Sequence, residues 1–393
     1  MLTVHRDSTA ARNAFVVRVA IVTESFLPTL NGVTTSVCRV LDHFADNGHD
    51  AVVICPGPAP ASYRGFEVRT VRGVMLRGFR VGLPTFEMER ILEGFAPDVV
   101  HAASPFGHGA RGLAAARNLG LPTVAIYQTD MPAYLSQHAG PVSRGIQNAS
   151  WRWVRHLHSL ADMTLAPSSS TMNELVDHGI PRVALWGRGV DTVTYSPELG
   201  TDEQVRDLRR CLAPCGETIV GYVGRLAPEK ELHRLAELSR IPGISLAVVG
   251  DGPSRDRLER LLPKAHFLGF REGTELARAY AALDVFVHTG CHETFGQTLQ
   301  EAMATGLPVV APAAGGPLDI VRPGVTGLLF DPHRPGALRE AVGGLIADQP
   351  MRLRMGASGR AKVEARSWAA VAGQLLEFYA DVISPAYARR RAA

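Results

Sequence analysis

Residues Gly290–Gly316 read GCHETFGQTLQEAMATGLPVVAPAAGG, and the residue pattern changes type several times along them. The apolar run Asp284–His288 just before them predicts a buried strand. Gln297–Ala304 is compatible with a helix, which Gly306 would end as a C-terminal cap residue. Leu307–Ala311 then predicts a second short buried strand. The segment therefore has the strand, loop, helix and strand order of an α/β unit.

The start of this helix combines an anion-binding backbone with two carboxylates. The first N–H groups of a helix have no partner inside it, and the helix dipole favours an anion there. Thr294–Gln297 would present such groups, and Gly296 would let a ligand approach the backbone closely. Glu293 precedes this point, and Glu301 can reach back to it because helical side chains lean towards the N-terminus.

Carboxylates accept hydrogen bonds from hydroxyl groups but bind phosphates poorly. The segment therefore predicts a ligand that carries both an anion and hydroxyl groups. The structural alternative is that Glu293 is only a favourable charge near a helix start and that Glu301 belongs to a solvated helix face.

The composition indicates an ordinary globular protein with two domains. A chain of 393 residues is long for one hydrophobic core. Hydrophobic residues make up 46% and charged residues 20%, and the net charge of +3 is too small to indicate a nucleic-acid partner. No run of 18 apolar residues indicates a transmembrane helix, and Arg18 interrupts the apolar run near the N-terminus, which argues against a secretory signal. The five scattered cysteines favour a reducing compartment over a disulfide framework.

Predicted strands and helices alternate along the chain, which indicates an α/β fold with doubly wound parallel sheets. The predicted strands are Val16–Val22, Ala51–Cys55, Val68–Val71, Asp98–His101, Pro122–Tyr127, Asp162–Ala166, Val183–Trp186, Thr218–Val223, Ile244–Gly250, His266–Gly269, Asp284–His288 and Leu307–Ala311. The predicted helices are Thr34–Asn47, Pro84–Phe95, Gly109–Leu119, Ser143–Leu160, Glu272–Ala282, Gln297–Ala304 and Ser367–Val382. In such a fold, ligands bind beyond the carboxyl ends of the strands.

Three loops in the first half of the chain follow predicted strands and should share one rim. The first contains Gly32 between a strand and a helix, a phosphate-loop arrangement that lacks the G-x-G-x-x-G pattern. The second is Ser104–Gly107. The third begins at Gln128 and contains Asp130, a candidate contact to a substrate hydroxyl; its alternative role is that of a turn-forming residue before Met131-Pro132.

In the second half, the predicted strand Thr218–Val223 ends at Gly224, and Arg225 and Lys230 follow within six residues. An arginine there can bind an anion through two N–H groups and a lysine as a point charge. The alternative is that both are solvated surface charges. No Asp-x-Asp pair stands in a suitable loop, so we expect no metal requirement.

The predicted helix Ser143–Leu160 has a dense group of aromatic and basic residues, which comprises Trp151, Arg152, Trp153 and Arg155. A core helix with a basic outer face would explain the group. The alternative is a patch that binds anionic lipid at a membrane surface. Three further arginines would extend such a patch, namely Arg72, Arg77 and Arg80.

Glu293-x7-Glu301 in this setting resembles the signature of the retaining glycosyltransferases of family 4, which have the GT-B fold. The resemblance extends from about Val16 to Tyr379, and GRLAPEK at 224–230 is similar to the second signature of the family. Within the family, TESFLPTLNGV at 23–33, SPFG at 104–107 and YQTD at 127–130 resemble bacterial GDP-mannose-dependent alpha-mannosyltransferases.

The resemblance implies two Rossmann-like domains that face a central cleft. The boundaries that we expect are an N-terminal extension at 1–14, an acceptor-side domain at 15–195, a nucleotide-sugar-binding domain at 196–372 and a C-terminal helix at 373–393 that returns to the first domain.

The resemblance also implies a role for each candidate residue. Glu293 would lie beside the donor sugar hydroxyls, Glu301 would bind the ribose, and the cations at 225 and 230 would hold the pyrophosphate. The implied donor-binding residues are Gly32, Gly224, Arg225, Lys230, Glu293, Thr294, Phe295, Gly296, Gln297, Thr298 and Glu301. The implied catalytic residues are Arg225, Lys230, Glu293, Gln128 and Asp130.

Family members often carry histidine where Gln128 stands, so this chain departs from the common pattern there. A glutamine can donate and accept hydrogen bonds in contact with a sugar, but it cannot titrate.

The implied reaction is retaining transfer of a hexose, α-mannose from GDP-mannose, to a hydroxyl of a lipid-linked or glycolipid acceptor. In the family, a front-face route is favoured in which the leaving phosphate takes the proton of the acceptor. The open alternatives are a UDP-sugar-dependent glucosyl- or sulfoquinovosyl-type transferase, a natural-product glycosyltransferase, a sugar-nucleotide epimerase and a non-catalytic nucleotide-sugar binder. We expect a nucleotide sugar and a lipid as partners and no nucleic acid, in the cytoplasm, with attachment to an anionic inner membrane face as an open alternative.

Overall fold

The computed structural model describes residues 16–29, 31–71, 73–76, 79–82, 87–103, 105–128 and 143–384, with only the backbone described at 73–76, 79–82, 143, 144 and 146. The described residues form two compact units. One comprises residues up to 124 together with 381–384, and the other comprises residues 125–380. The domain boundaries expected from the sequence stay a prediction.

The first sheet has eight strands in the order β10-β9-β8-β7-β1-β2-β4-β3. Strand β1 runs parallel to both β2 and β7, with Val19 opposite Ala51 on one side and Val99 on the other. The short edge strand β3 is antiparallel to β4. The strands are β1 Arg18–Thr23, β2 Asp50–Pro56, β3 Ser62–Tyr63, β4 Phe66–Val71, β7 Val99–Ala103, β8 Thr123–Ile126, β9 Met163–Ala166 and β10 Val183–Leu185. A separate antiparallel pair consists of β5 Gly73–Leu76 and β6 Phe79–Gly82.

The second sheet has six parallel strands in the order β13-β12-β11-β14-β15-β16. Its central strand β11 pairs with β12 and β14, with Val220 opposite Leu246 on one side and Val285 on the other. The strands are β11 Thr218–Val223, β12 Ile244–Val249, β13 His266–Gly269, β14 Val285–Val287, β15 Val309–Pro312 and β16 Gly327–Phe330. Both faces are buried, which explains why the strands are continuous apolar runs instead of alternating ones.

Helices connect the strands. In the unit of residues up to 124 they are α1 Gly32–Asp46, α2 Glu87–Phe95 and α3 His108–Asn118. In the unit 125–380 they are α4 Ser143–Ser159, α5 Ser169–Asp177, α6 Glu203–Leu212, α7 Arg255–Leu261, α8 Gly273–Ala281, α9 Gln297–Ala304, α10 Pro317–Ile320, α11 Ala337–Ala347, α12 Gln349–Glu364 and α13 Trp368–Ile383, the last of which extends beyond it. The 3-10 segments are Pro197–Thr201, Pro228–Lys230 and Leu232–Arg240.

The predicted fold of two doubly wound parallel sheets is confirmed. Three predicted elements have their predicted bounds, namely Thr218–Val223, His266–Gly269 and Gln297–Ala304. Most others shift by one or two residues at their ends. The elements that the sequence did not predict are the helices at 169–177, 203–212, 255–261, 317–320, 337–347 and 349–364, strand β3 and the β5-β6 pair.

None of the helices in the described part of the chain is long and apolar enough to cross a membrane. All five cysteines are free, and Cys211 and Cys215 are exposed.

Two glycines bring the ends of β11 and β12 into backbone contact. Gly250 follows β12 with φ +129°, and its neighbour across the sheet is Gly224, whose N–H donates to the carbonyl of Val249 at 3.0 Å. A Cβ atom on Gly250 would lie 2.0 Å from the carbonyl oxygen of Gly224. Only glycine accommodates both the positive φ and this approach, so the loop after β11 is held against the end of β12.

Gly250→Ala is expected to lower Tm by roughly 5–10 °C, because the added methyl group meets rigid backbone. Thermal unfolding followed by circular dichroism would measure the change. Gly344→Ala is the matched control, since Gly344 is exposed inside α11 and has nothing near its Cβ position. That variant should be as stable as the wild type or slightly more stable. Equal stability of the two variants would contradict the backbone contact.

Candidate active site

The strand order of the second sheet locates the candidate site. Reading outward from β11, the next strands in sequence lie on one side and the last three lie on the other. The order therefore reverses between β11 and β14, and ligands of open α/β sheets bind beyond the carboxyl ends of the strands at such a switch point. The loops that begin at Gly224 and His288 leave this point.

The loop after β11 carries the two predicted cations. Lys230 ends a 3-10 turn, and its carbonyl accepts a hydrogen bond of 2.6 Å from Thr289 Oγ1 in the loop after β14. Arg225 is 58% exposed and forms an ion pair with Glu229. Arg225 is thus free to move towards a ligand, whereas Lys230 is fixed against the neighbouring loop.

Lys230 and Glu293 form the central ion pair of the site. Lys230 Nζ lies 2.7 Å from Glu293 Oε2, and both side chains are largely buried. Taking a carboxylate out of water disfavours its charge. Burial alone would therefore raise the pKa of Glu293. Lys230, His288 and Arg188 outweigh this effect and lower the pKa to about 2. Glu293 is therefore ionised at neutral pH.

His288 lies beneath this pair at the end of β14. It is 2% exposed, and its Nε2 is 3.7 Å from Glu293 Oε2. Burial lowers the pKa of His288 to about 4, although Glu293 acts in the opposite direction. The imidazole is therefore neutral at neutral pH, and Lys230 is the main partner of the carboxylate.

The backbone around Glu293 is fixed by two glycines that follow β15. The N–H of Gly316 donates to the carbonyl of Glu293 at 2.7 Å. A Cβ on Gly315 would lie 2.6 Å from that same oxygen, and one on Gly316 would lie 2.2 Å from the carbonyl oxygen of Phe295. The final Gly-Gly of the segment at 290–316 therefore allows the backbone contact that shapes the loop.

Helix α9 begins where the sequence predicts it. Gly296 precedes it with φ +105° and ψ +52°, and no side chain caps the helix start. Phe295 is buried in the core of the second sheet, so it anchors the loop and can offer a ligand only its backbone. Thr294, Thr298 and Gln297 are partly buried. The Nε2 of Gln297 donates to the carbonyl of Gly189 at 3.1 Å.

Glu301 has the opposite electrostatic character to Glu293. Its Oε2 accepts a hydrogen bond of 2.9 Å from the hydroxyl of Tyr280, which is fully buried. Burial raises the pKa of Glu301 to about 7, against the effect of its hydrogen bonds with Tyr280 and Gln297. The alternative of a solvated helix face is thus wrong for Glu301.

Gln128 follows β8 and belongs to the same unit as these residues. Its carbonyl is 3.4 Å from Thr294 Oγ1, and its side-chain Oε1 accepts a hydrogen bond of 2.8 Å from Arg188 Nη2. The structure therefore brings Gln128 to the loop of Glu293 and adds Arg188, which is not among the residues predicted from the sequence. An arginine between two glycines was the signal available for it.

Gly32 lies in the other unit and is exposed at the start of α1, where Asn31 Oδ1 accepts from Val33 N and Thr34 N. In the same unit, Glu24 Oε1 accepts hydrogen bonds from three backbone N–H groups at the start of α3, those of Phe106, Gly107 and Gly109. The carboxylate of Glu24 therefore already occupies the start of α3.

Some predicted residues lie outside the described part of the chain, namely Asp130, Ser104, Arg72, Arg77 and the side chain of Arg80.

The aromatic and basic group on α4 is divided between core and surface. Trp151 is buried and stacks on His178 with ring centroids 3.7 Å apart. Trp153 is 45% exposed, and Arg152 and Arg155 are exposed with it. The core-helix interpretation is therefore right for Trp151, and a basic outer face with one tryptophan remains.

Within the described residues, no three His, Cys, Asp or Glu side chains gather in a way that could hold a metal ion.

Profiles of two glycosyltransferase families match most of the chain. The one described as Glycosyltransferase Family 4 matches residues 30–194, and the one described as Glycosyl transferases group 1 matches residues 206–362. A GDP-mannose-dependent alpha-mannosyltransferase of Mycobacterium tuberculosis is 48% identical over 379 residues, which cover 93% of this chain and 97% of that protein. The protein of the same name from Mycolicibacterium smegmatis is 49% identical over 93% of this chain and 98% of its own length.

A more distant relative is the sulfoquinovosyl transferase SQD2 of Arabidopsis thaliana, at 34% identity over 70% of this chain and 55% of that protein. Solved structures share the fold at lower identity. Sucrose-phosphate synthase from Thermosynechococcus elongatus superposes with a TM-score of 0.76 at 20% identity and covers 93% of this chain and 99% of that one. Anabaena HepE in complex with UDP has a TM-score of 0.73 at 20% identity, with coverage of 93% and 100%. The predicted GT-B fold is confirmed.

Lys230→Met is expected to lower the unfolding free energy by about 1.5–3 kcal/mol at pH 7, because it removes a charge-assisted hydrogen bond from a buried carboxylate. The pKa of Glu293 lies below its ordinary value of 4.5, at about 2. Its contribution to stability is therefore complete above pH 4.5 and is lost as the pH falls towards 2. The difference in Tm between wild type and variant should be largest at neutral pH and should narrow below pH 4.5.

Arg352→Met is the matched control, since Arg352 donates to the carbonyls of Leu345 and Ile346. Its Tm difference should not narrow in this way. A Lys230→Met difference that stays constant from pH 7 to pH 3 would contradict the ion pair as the cause.

Proposed function

The chain belongs to family 4 of the glycosyltransferases, and from this membership we propose that it transfers an α-mannosyl group from GDP-mannose to a hydroxyl of a lipid-linked or glycolipid acceptor. The enzyme is a retaining hexosyltransferase. The observation that carries the choice of donor is 48–49% identity, over nearly the full length, to two GDP-mannose-dependent relatives.

In this proposal, the diphosphate of the donor lies at the switch point of the second sheet. Lysine has three donors, so Lys230 can keep its contact with Glu293 and still donate to a phosphate oxygen. Arg225 is exposed enough to exchange Glu229 for a phosphate. The N–H groups at the start of α9 complete the anion site, and Gly224 borders it as the family resemblance implies.

These groups support departure of the nucleoside diphosphate. Each charge-assisted hydrogen bond contributes on the order of 1.5–3 kcal/mol, and bonds that strengthen as charge develops on the leaving group lower the barrier. We propose that no divalent ion is required. The leaving phosphate takes the proton of the acceptor hydroxyl on the same face of the sugar, so that the anomeric configuration is retained.

The other candidate residues take roles in donor recognition. Ionised Glu293 accepts hydrogen bonds from the mannosyl hydroxyls, and Glu301 accepts from the ribose. Gln128 donates to the sugar, and its close contact with Thr294 supports this placement. Gly32 approaches the phosphate and Asp130 the acceptor hydroxyl, both as the family resemblance implies. The domain assignment with a boundary at 195/196 belongs to the same proposal.

The exposed side of α4 supports a lipid as acceptor. Arg152, Trp153 and Arg155 leave a basic face with one exposed aromatic ring, the composition of surfaces that contact anionic membranes. We propose that the enzyme works at such a surface without a membrane-spanning segment.

GDP-mannose should therefore support transfer in the presence of excess chelator, with vesicles that contain diacylglycerol and a glycosyl diacylglycerol in an anionic phospholipid as the acceptor probe. UDP-glucose and UDP-sulfoquinovose serve as donor controls. The expected product is an α-mannosylated lipid.

Other outcomes would indicate other functions. Conversion of GDP-mannose to another nucleotide sugar without acceptor would indicate the epimerase, and binding without any turnover would indicate a non-catalytic binder. A strong preference for a UDP-sugar, or activity only with added magnesium or manganese, would contradict the proposed donor or the metal-free step.

GDP binding should release a proton from Glu301. The pKa of this carboxyl is about 7, above its ordinary value, so the free protein holds the proton below pH 7. Ribose hydroxyls donate to the carboxylate form, hence GDP affinity should weaken by roughly fivefold between pH 7 and pH 6. Titration calorimetry in two buffers of different ionisation enthalpy measures the released proton.

Glu301→Gln is the control for this prediction. The terminal phosphate of GDP also titrates near pH 6, and the variant isolates that contribution because glutamine cannot titrate. An unchanged proton release in Glu301→Gln would show that Glu301 does not bind the ribose as a carboxylate.

A further inference from the structure

Arg188 lies at the candidate site although the sequence did not predict a role for it in binding or catalysis. Its Nη2 donates to Gln128 Oε1 at 2.8 Å. It is also attracted to Glu293, since each of the two groups favours the charged form of the other. Arg188 therefore connects the loop after β8 with the central ion pair of Lys230 and Glu293.

The backbone that carries Arg188 is held on both sides. Gln300 Nε2 donates to the carbonyl of Arg188 at 3.1 Å, and Gln297 Nε2 donates to that of Gly189 at the same distance. A Cβ on Gly189 would lie 2.6 Å from the Cα of Trp368, so the segment also packs directly on the start of α13. A fixed backbone limits the directions in which the guanidinium can point.

The contact determines the orientation of the Gln128 carboxamide. A guanidinium has only donors, so it must face the oxygen of the amide, and Nε2 must point away from it. Gln128 is 7% exposed, and Nε2 is buried with no hydrogen-bond partner among the described residues. A buried donor without an acceptor is costly unless a ligand supplies the acceptor.

We propose that Arg188 is a positioning residue that fixes the Gln128 carboxamide so that Nε2 donates to the hexosyl group of the bound donor. This inference rests on the proposed function, because the acceptor atom is an oxygen of the transferred sugar. Arg188 acts through Gln128 and does not contact the nucleotide. The arrangement differs from a histidine at this position, since neither the guanidinium nor the amide changes its charge in the physiological range.

A double-mutant cycle tests this inference in the full-length protein. Gln128→Ala and Arg188→Met should each lower kcat for mannosyl transfer from GDP-mannose by roughly 10–100-fold, because the sugar loses the same hydrogen bond in both. The double variant should be no slower than the slower single variant, within about twofold. The affinity for GDP, measured by calorimetry, should stay within about twofold of the wild type in all three variants.

Two further variants separate positioning from folding. Gln128→Glu keeps an oxygen for Arg188 but replaces the Nε2 donor, so it should fold normally and lose as much kcat as Gln128→Ala. Arg209→Met is the matched control for loss of a partly buried arginine, since Arg209 pairs with Asp284 and the carbonyl of Ala282 away from the site. It should leave kcat unchanged even where it lowers Tm.

Losses that multiply in the double variant would overturn the inference, since Arg188 would then act independently of Gln128. A tenfold loss of GDP affinity in Arg188→Met would overturn it as well, because the guanidinium would then bind the diphosphate. Full activity of Gln128→Glu would exclude Nε2 as the donor.

Failure of the proposed function gives a different result. In that case wild type neither binds nor turns over GDP-mannose, and a nucleotide sugar that it does bind replaces the probe in the same cycle. The Tm values of the single and double variants test the contact without any ligand. Losses of Tm that are smaller in the double variant than the sum of the single ones support the Arg188–Gln128 contact, and strictly additive losses refute it.

Discussion

The ion pair between Lys230 and Glu293 joins the two loops from which the site is built. One loop leaves β11 and the other leaves β14, and the pair closes the gap between them at 2.7 Å. Both side chains are largely buried, so removal of one partner would leave the other charge with less compensation. The position of both loops thus depends on a contact between residues 63 positions apart in the sequence. The contact with Glu293 also fixes the position of the Lys230 ammonium group before a ligand binds.

Close backbone contacts make that ion pair possible. Gly315 and Gly316 let the strand end after β15 touch the backbone at Glu293 and Phe295, at distances that a Cβ would prevent. Gly250 does the same between the ends of β12 and β11. These contacts join main-chain groups directly by hydrogen bonds, from Gly316 to Glu293 and from Gly224 to Val249. Rigid support of this kind reduces the reorganisation that binding a charged transition state would otherwise require.

Two glutamates on one segment differ in charge state because their surroundings differ. Lys230 outweighs the burial of Glu293, so the pKa of Glu293 falls to about 2. Glu301 has no cation as partner, and burial raises its pKa to about 7 against the opposing effect of its hydrogen bonds with Tyr280 and Gln297. Environments that separate the pKa values of like residues are a common feature of functional sites. Glu293 is a permanent acceptor of hydrogen bonds, and Glu301 exchanges a proton near neutral pH.

The sequence alone was sufficient for the alternating elements and for the motif residues. Strand Thr218–Val223 and helix Gln297–Ala304 have their predicted bounds because apolar runs, glycine caps and helix starts are local signals. It also indicated Lys230 through the stretch GRLAPEK at 224–230, and Glu293 through the spacing Glu293-x7-Glu301. Only the tertiary structure decided that Arg188 orients Gln128, that Tyr280 holds Glu301, and that Trp151 is buried while Trp153 is exposed. Arg188 and Gln128 are 60 residues apart and Tyr280 and Glu301 are 21 apart. Burial and partners at such separations follow from how the elements pack, and no local pattern of residue types contains that information.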